Sequence, residues 1–191
     1  MVVGVAGKYC AGKSTVAELL AEAGYRIIDV DRLGHEALGR RVEEVRTAFG
    51  DTYLNGDGTV NRAKLGSLVF RDRDALRRLE GIVHPEMVQM VRERLSDEDP
   101  GTVVNAALLF PMGLDRLCDV VVWVTAPLLT RVRRARSRDK LPFRDILRRF
   151  WTQRELDPQS SASSVDIYNV DNRGGLEQLR AQLAALSLLK E

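Results

Sequence analysis

Gly7-Lys8-Tyr9-Cys10-Ala11-Gly12-Lys13-Ser14 is a complete G-x-x-x-x-G-K-S phosphate-binding loop, set between the apolar run Val2-Val3-Gly4-Val5-Ala6 and a helical pattern over Thr15 to Glu22. Its residue types carry the chemistry. Glycines let the backbone curl until successive N–H groups converge on phosphate oxygens, Lys13 neutralises the outer phosphates, and the Ser14 hydroxyl is of the kind that ligates Mg²⁺. The helix that starts here adds the positive end of its dipole. Gly7, Lys8, Tyr9, Cys10, Ala11, Gly12, Lys13, Ser14 and Thr15 are therefore the expected nucleotide-phosphate-binding residues, with Ser14 the expected metal ligand.

Outward from the loop the chain alternates strand-like and helix-like segments. Arg26 to Val30 repeats the buried-strand pattern and completes a βαβ unit; Val103 to Phe110, Asp119 to Val124 and Val165 to Val170 are three further strand candidates. Apolar strands separated by helices predict an α/β fold with a five-stranded parallel sheet flanked by helices. Between Leu33 and Asp97 only helical stretches occur, at Glu36 to Phe49, Arg62 to Phe70, Asp72 to Gly81 and Glu86 to Leu95, which marks an insertion. Asn55-Gly56-Asp57-Gly58 is a turn within it. A second helical stretch, rich in arginine, runs from Pro127 to Glu155, and an amphipathic helix from Leu176 to Leu189 closes the chain.

With 191 residues, one main domain with room for a short insertion is expected, and 45% hydrophobic with 29% charged residues argues against disorder and membrane residence. A formal charge of +2 implies no general nucleic-acid partner, although Arg131, Arg133, Arg134, Arg136, Arg138 and Lys140 concentrate positive charge in one place. Cys10 and Cys118 are the only cysteines, too few for a disulfide framework, which suits a reducing cytosol. No leader pattern and no run of membrane-spanning length occurs, so a cytoplasmic protein is expected, and a monomer.

Residues outside the loop decide among phosphate-loop classes. Asp31-Arg32-Leu33-Gly34 has the D-x-x-G form of a GTPase switch but lies too close to the loop, and no N-K-x-D follows anywhere. The Val103 to Phe110 candidate ends without the acid that a helicase or transporter ATPase places there. What remains is Asp31 at the carboxyl end of the second strand, where a doubly wound sheet presents its ligands. A carboxylate there is a candidate general base for an acceptor hydroxyl. Strand alternation puts Asp29 on the same face, to orient metal-bound water or to cap the next helix.

Taken in order, several stations resemble the dephospho-coenzyme A kinases, a branch of the phosphate-loop nucleotide kinases. Ile27-Ile28-Asp29-Val30-Asp31 is similar to that family's I-D-x-D, Asp57 to Arg62 followed by Leu65 and Phe70 to its D-G-x-x-x-R-x-x-L…F, and His84-Pro85 to its H-P pair. Arg134 and Arg138-Asp139 match its lid arginines, and Asp171-Asn172-Arg173-Gly174 its D-N-x-G near the adenine. The resemblance implies Asp31 as base on the ribose 3′-hydroxyl, Arg62, Leu65 and His84 as substrate contacts, and Arg134 and Asn172 as ATP contacts. It implies Arg138 over the transferring phosphoryl group beside Lys13, with ATP and Mg²⁺ as the cofactors. In these terms the single domain has a P-loop kinase core at 1–32, 101–126 and 157–191, a helical substrate-binding insertion at 33–100, and a helical lid at 127–156.

Two departures stand out. The family loop is G-G-x-G-S-G-K-S, whereas Lys8, Tyr9, Cys10 and Ala11 fill the middle here; and Ala106-Ala107-Leu108-Leu109-Phe110-Pro111 lacks both the proline and the acid of the family's P-L-L-F-E. The sequence thus predicts an ATP-dependent kinase acting on dephospho-coenzyme A as its small-molecule substrate, with no nucleic-acid or membrane partner. Two alternatives stay open: another nucleoside or nucleotide kinase, and a weakly active or non-catalytic ATP-binding homologue.

Overall fold

Valine and isoleucine favour extended backbone, and their runs are the strands of the computed structural model, which describes residues 1–95, 101–139 and 165–189. β1 (Val2–Gly7), β2 (Arg26–Asp29), β3 (Thr102–Asn105), β4 (Val120–Thr125) and β5 (Asp166–Asp171) form one parallel sheet in the order β2-β3-β1-β4-β5. β1 is central, with Val5 opposite Asn105 on one side and Val122 on the other. The connection after β1 leaves toward β2 on one side and the connection after β3 crosses to β4 on the other, so the carboxyl ends of the neighbours β1 and β3 are where such a sheet opens a ligand crevice.

One face of the sheet is covered by α1 (Lys13–Glu22) and α7 (Leu176–Ala185), while α6 (Leu128–Asp139) follows β4. Val16, Leu19 and Leu20 of α1, and Leu179 and Leu183 of α7, pack in one core with Val3, Val5, Val103, Val122 and Val124. The helical residues recur every three or four positions and the strand residues every two, as single faces require. Phe110 and Trp123 meet with ring centroids 6.0 Å apart.

The third strand is shorter than its apolar run. β3 stops at Asn105, and residues 107–113 form turns in which the Met112 N–H donates to Leu108 O at 3.0 Å and the Leu114 N–H to Leu109 O at 3.0 Å. Apolar content alone does not separate a buried strand from a buried turn. The β-branched residues Val103 and Val104 lie in the strand, whereas the Ala106 to Leu109 stretch lacks them.

The chain forms two compact units, Met1–Asp29 with Leu95–Glu191, and Val30–Arg94. The second is helical: α2 (Val30–Arg40), α3 (Val42–Phe49), α4 (Arg62–Val69) and α5 (Arg73–Arg94). Val45, Val60 and Leu65 are the buried centre of one of its clusters. The helix expected over Glu36 to Phe49 is two helices, parted at Arg41 (φ −114°, ψ 32°), whose guanidinium bonds the buried Glu86 at 2.8 Å and Glu44 at 2.7 Å. Conversely, the two helices expected at Asp72 to Gly81 and Glu86 to Leu95 are one. Pro85 costs α5 the hydrogen bond to the Gly81 carbonyl, but Gly81 is exposed and water can take that acceptor, while Val83, Met87, Met90 and Val91 keep one buried face across the break. The Asn55 to Gly58 turn forms as read, with Gly58 at φ +81° and Leu54 bridging Val60. No helix among the described residues is long and apolar enough to cross a membrane.

Candidate functional site

β1 ends at Gly7, whose φ is +154°; a Cβ there would run into the carbonyl oxygen of Val124 in β4. Only glycine leaves the sheet by that route. The chain then turns, the Ala11 N–H donating to Lys8 O at 3.0 Å, and passes through Cys10 at φ +58°, in the left-handed region. Gly12 (φ +105°, ψ 30°) opens α1; no side chain caps it and its first turn carries no acid. With no side-chain acceptor at its start, α1 directs its first N–H groups and dipole at whatever anion enters the loop. Lys13 Nζ folds back to donate to Gly7 O at 3.2 Å, and Ser14 next to it is exposed.

The outer side of the loop is held by α6 and the residue after β5. Arg131 Nε donates to Tyr9 O at 2.8 Å in a buried contact. Arg134 Nη1 donates to Ala11 O at 3.1 Å, and its Nη2 donates to the Asn172 carbonyl at 3.0 Å and Oδ1 at 3.1 Å. Asn172, itself buried, donates from Nδ2 to the same Ala11 O at 2.9 Å. Tyr9 and Cys10 pack against Ala135. Burial pushes the Arg131 guanidinium pKa down, and the neighbouring Cys10 pushes it back up. Asn172 is placed by the sheet and by α7: its N–H donates to Thr125 O at 2.8 Å, and Gln182 bonds the Asp171 N–H at 2.9 Å and carbonyl at 3.0 Å.

Of the residues expected to bind ATP, then, Gly7 to Thr15 form the loop and first turn, while Arg134 and Asn172 reach the loop from behind and bond its backbone. The Arg138 side chain and residues 140–164, which include most of the expected lid, lie outside the described residues. In the helical unit, Asp31 corrects its expected setting. β2 ends at Asp29 and Asp31 is the second residue of α2, exposed, so strand alternation does not relate the two carboxylates. Arg62 is the exposed first residue of α4, behind the Asn61 cap, whose side chain accepts the Lys64 N–H at 3.0 Å. His84 is half-buried on α5, and burial holds its pKa below the usual 6.5 against an opposing pull from Glu80. Leu65, expected to touch substrate, is 1% exposed beside Val45 and Val60, which makes it a core residue of α4.

Two residues here belong to no motif of the sequence. Arg131 is one of six charges in a run; its signal is the spacing to Arg134 and Ala135, which puts all three on one face of α6. Asn105 is a polar residue closing an apolar strand on the face of Val103, toward α1, and its buried Oδ1 has no hydrogen-bond partner among the described residues.

A five-stranded parallel sheet in this order, with a phosphate loop on its central strand opening an uncapped helix, defines a P-loop kinase. Solved kinases share the fold: the dephospho-CoA kinase of Campylobacter jejuni superposes with a TM-score of 0.69 at 22% identity, over 97% of this chain and 94% of that one. The family model for dephospho-CoA kinase (CoaE) matches residues 1–177, and the chain belongs to the dephospho-CoA kinase family. A dephospho-CoA kinase of Thermus thermophilus is 34% identical over 187 residues, 97% of this chain and 90% of its own length. The crystal structure of TT1252 from Thermus thermophilus gives a TM-score of 0.79 at 34% identity, covering 100% of this chain and 98% of that one.

Proposed function

We propose that this chain transfers the γ-phosphoryl group of ATP to the ribose 3′-hydroxyl of dephospho-coenzyme A. The observation that carries the proposal is the uncapped, acid-free start of α1 behind a complete phosphate loop, in a chain whose family acts on that substrate. Gly7 to Thr15 hold the phosphates, and Lys13 balances charge gathering on the transferring group. Asp31 accepts the hydroxyl proton, a role its exposed carboxylate permits. Arg62 meets the diphosphate of the acceptor and His84, neutral at pH 7, donates or accepts a hydrogen bond there. Arg138, from α6, screens the transferring group. Arg134 and Asn172 serve the nucleotide through the loop backbone they hold.

Mg²⁺ fits the donor set. No cluster of three or more His, Cys, Asp or Glu among the described residues would cage a metal, and Mg²⁺ is commonly held by few protein oxygens, water and phosphate. Ser14 is the protein ligand in this reading, and the orphaned Asn105 Oδ1 is an acceptor suited to metal-bound water. The ion, when bound, neutralises phosphate charge. The same reading makes the protein a cytoplasmic monomer whose partners are small molecules.

The test is incubation with Mg²⁺, ATP and dephospho-coenzyme A, with mass spectrometry of the acceptor, for wild type, Lys13→Ala and Asp31→Asn. Wild type should add one phosphoryl group; loss of a general base should slow transfer by about 10² to 10⁴. ATP binding with no product on this acceptor, but product on a nucleoside or nucleoside monophosphate, would overturn the substrate assignment. Full activity in Asp31→Asn would overturn the base.

A further inference from the structure

A phosphate loop works only if its N–H groups face inward, and in this one the inner residue Cys10 sits at φ +58° with a side chain to accommodate. Left-handed backbone is disfavoured for every residue with a Cβ, by about 1–2 kcal/mol, so something must hold it. The peptide group before this residue, Tyr9–Cys10, and the one beyond its neighbour, Ala11–Gly12, are both gripped from α6, while the peptide between them is held by the Ala11 N–H donating to Lys8 O at 3.0 Å. The Tyr9 carbonyl accepts from Arg131 Nε at 2.8 Å, and the Ala11 carbonyl from Arg134 Nη1 at 3.1 Å and Asn172 Nδ2 at 2.9 Å. A trans peptide is planar with its C=O and N–H pointing opposite ways, and no cis bond occurs among the described residues. Holding the Tyr9 carbonyl toward α6 therefore turns the Cys10 N–H away from α6; holding the Ala11 carbonyl does the same for the Gly12 N–H.

The two grips are not equivalent. Ala11 O has two donors, so the loss of one leaves the other. Tyr9 O accepts from Arg131, a buried charged donor on a neutral acceptor, which is the stronger kind of hydrogen bond. Ala135, one turn along α6, packs on the Tyr9 and Cys10 side chains and fixes the register in which Arg131 reaches the carbonyl.

We propose that Arg131 is a positioning residue for the phosphoryl donor: through the Tyr9 carbonyl it keeps Cys10 left-handed and the loop N–H groups aimed at the phosphates, without itself touching the nucleotide. This rests on the loop being a nucleotide site, and it is read most directly by ATP binding, which does not depend on the identity of the acceptor.

Arg131→Met keeps the length of the side chain and removes the donor; Arg131→Lys keeps the charge and a donor. ATP dissociation constants come from calorimetry, and KM for ATP, KM for dephospho-coenzyme A and kcat from steady-state kinetics. Arg131→Met should weaken ATP binding about ten- to thirty-fold, the range expected when one charge-assisted hydrogen bond that pre-orients a site is lost. KM for the acceptor, and kcat at saturating ATP, should stay within about three-fold, well inside one decade of affinity. Arg131→Lys should recover part of the loss. A purely structural role would lower thermal stability and the active fraction without dividing the two KM values.

Cys10→Gly supplies the discriminating background. Glycine adopts positive φ without strain, so the loop should then depend less on its outer grip, and Arg131→Met should weaken ATP binding by less than about three-fold, a small part of the single-variant effect. An equal penalty in both backgrounds would mean that Arg131 contacts the nucleotide directly, and would overturn the proposal. So would an ATP dissociation constant in Arg131→Met within about two-fold of wild type, too small for a lost charge-assisted bond. If Arg131→Met does not fold, Arg131→Lys in the two backgrounds gives the same comparison at smaller amplitude. A wild type that binds ATP tightly but leaves dephospho-coenzyme A unphosphorylated would overturn the substrate assignment while leaving the calorimetric test of Arg131 intact.

Discussion

Replacing Gly12 and Asn172 by alanine, singly and together, should destabilise the double variant far less than the two single losses added. Asn172→Ala removes the Nδ2 donor from Ala11 O at 2.9 Å and the Oδ1 acceptor from Arg134 at 3.1 Å. One neutral and one charge-assisted hydrogen bond in a buried setting amount to about 2.5–3 kcal/mol. Gly12→Ala carries two costs. A Cβ at φ +105° is strained by about 1–2 kcal/mol. It also overlaps Asn172 Nδ2, so the Asn172 side chain must swing out and surrender the same two bonds. The single Gly12→Ala cost is thus about 3.5–5 kcal/mol, the sum of strain and lost bonds. In the double variant those bonds are already gone and the clash has no partner, so the total stays at about 3.5–5 kcal/mol, where additivity would demand about 6–8.

Equilibrium urea unfolding of the four proteins without nucleotide measures the cycle, with equal m-values as the check that the denatured states match. Domains hold only about 5–15 kcal/mol in all, so sucrose, which strengthens burial by exclusion, can lift the weaker variants into range. Sulfate is unsuitable because it would enter the phosphate loop. Additivity within about 0.5 kcal/mol would refute the reasoning: it would mean that Asn172 does not occupy the space a Cβ on Gly12 needs.

Gly7→Ala should be worse than either, because its Cβ meets main chain: the Val124 carbonyl lies in β4, paired with β1 at the middle of the sheet, and neither strand can yield. A loss of more than about 5 kcal/mol, or no soluble protein, is expected; circular dichroism and urea unfolding close to wild type would contradict it. Cys118 should resist alkylation in the native protein, since burial, with Asp115 and Asp119 nearby, pushes its thiol up to about 12, and should react only in urea; peptide mapping after iodoacetamide decides. His84 should make the protein acid-sensitive. Its folded pKa lies below the usual 6.5, so the unfolded chain binds the proton more tightly. The stability it contributes is complete above 6.5 and is lost as pH falls below 6.5 toward the folded pKa. Between about pH 7.5 and about pH 5.5 wild type should lose more of its urea midpoint than His84→Gln; parallel losses would contradict the assignment.

The phosphate loop was legible because its information is local: two glycines, a lysine and a hydroxyl within eight positions, between a β-branched run and a helical one. β1, β4 and β5 were legible within a residue or two for the same reason. Pattern failed where apolar content outran backbone preference, as in the turns after Asn105, and where tertiary contacts overrode local breakers, as at Pro85 inside α5. The pattern carries β2 one residue too far, to Val30, and so sets Asp31 at a strand end rather than in the first turn of α2, since nothing local distinguishes the two. Leu65 shows the opposite limit. A motif position can match a functional pattern and still be a core position, and only burial tells the two apart.

Arg131 marks the deeper limit. Its partner lies 122 positions away in sequence, and the contact depends on α6 presenting positions 131, 134 and 135 together against one loop. The loop tolerates Cys10 where a glycine would be expected because outside constraint outweighs backbone strain. A left-handed residue with a side chain costs about 1–2 kcal/mol, whereas each charged donor on a buried carbonyl returns about 1.5–3 kcal/mol, and two arginines supply such donors, one to the Tyr9 carbonyl next to Cys10 and one to the Ala11 carbonyl a peptide further on. The glycine's freedom is thereby replaced by constraint from outside, and the loop's shape becomes a joint property of β1–α1 and α6. A loop held in this way has a specific vulnerability that a glycine-rich one lacks: loosening α6 should loosen nucleotide binding, even by a substitution that touches no phosphate. Ala135→Gly, which removes the methyl packed on Tyr9 and Cys10 and weakens α6 by about 1 kcal/mol, should therefore raise KM for ATP before it changes kcat. An unchanged KM in a measurably destabilised α6 would mean that the loop keeps its shape unaided.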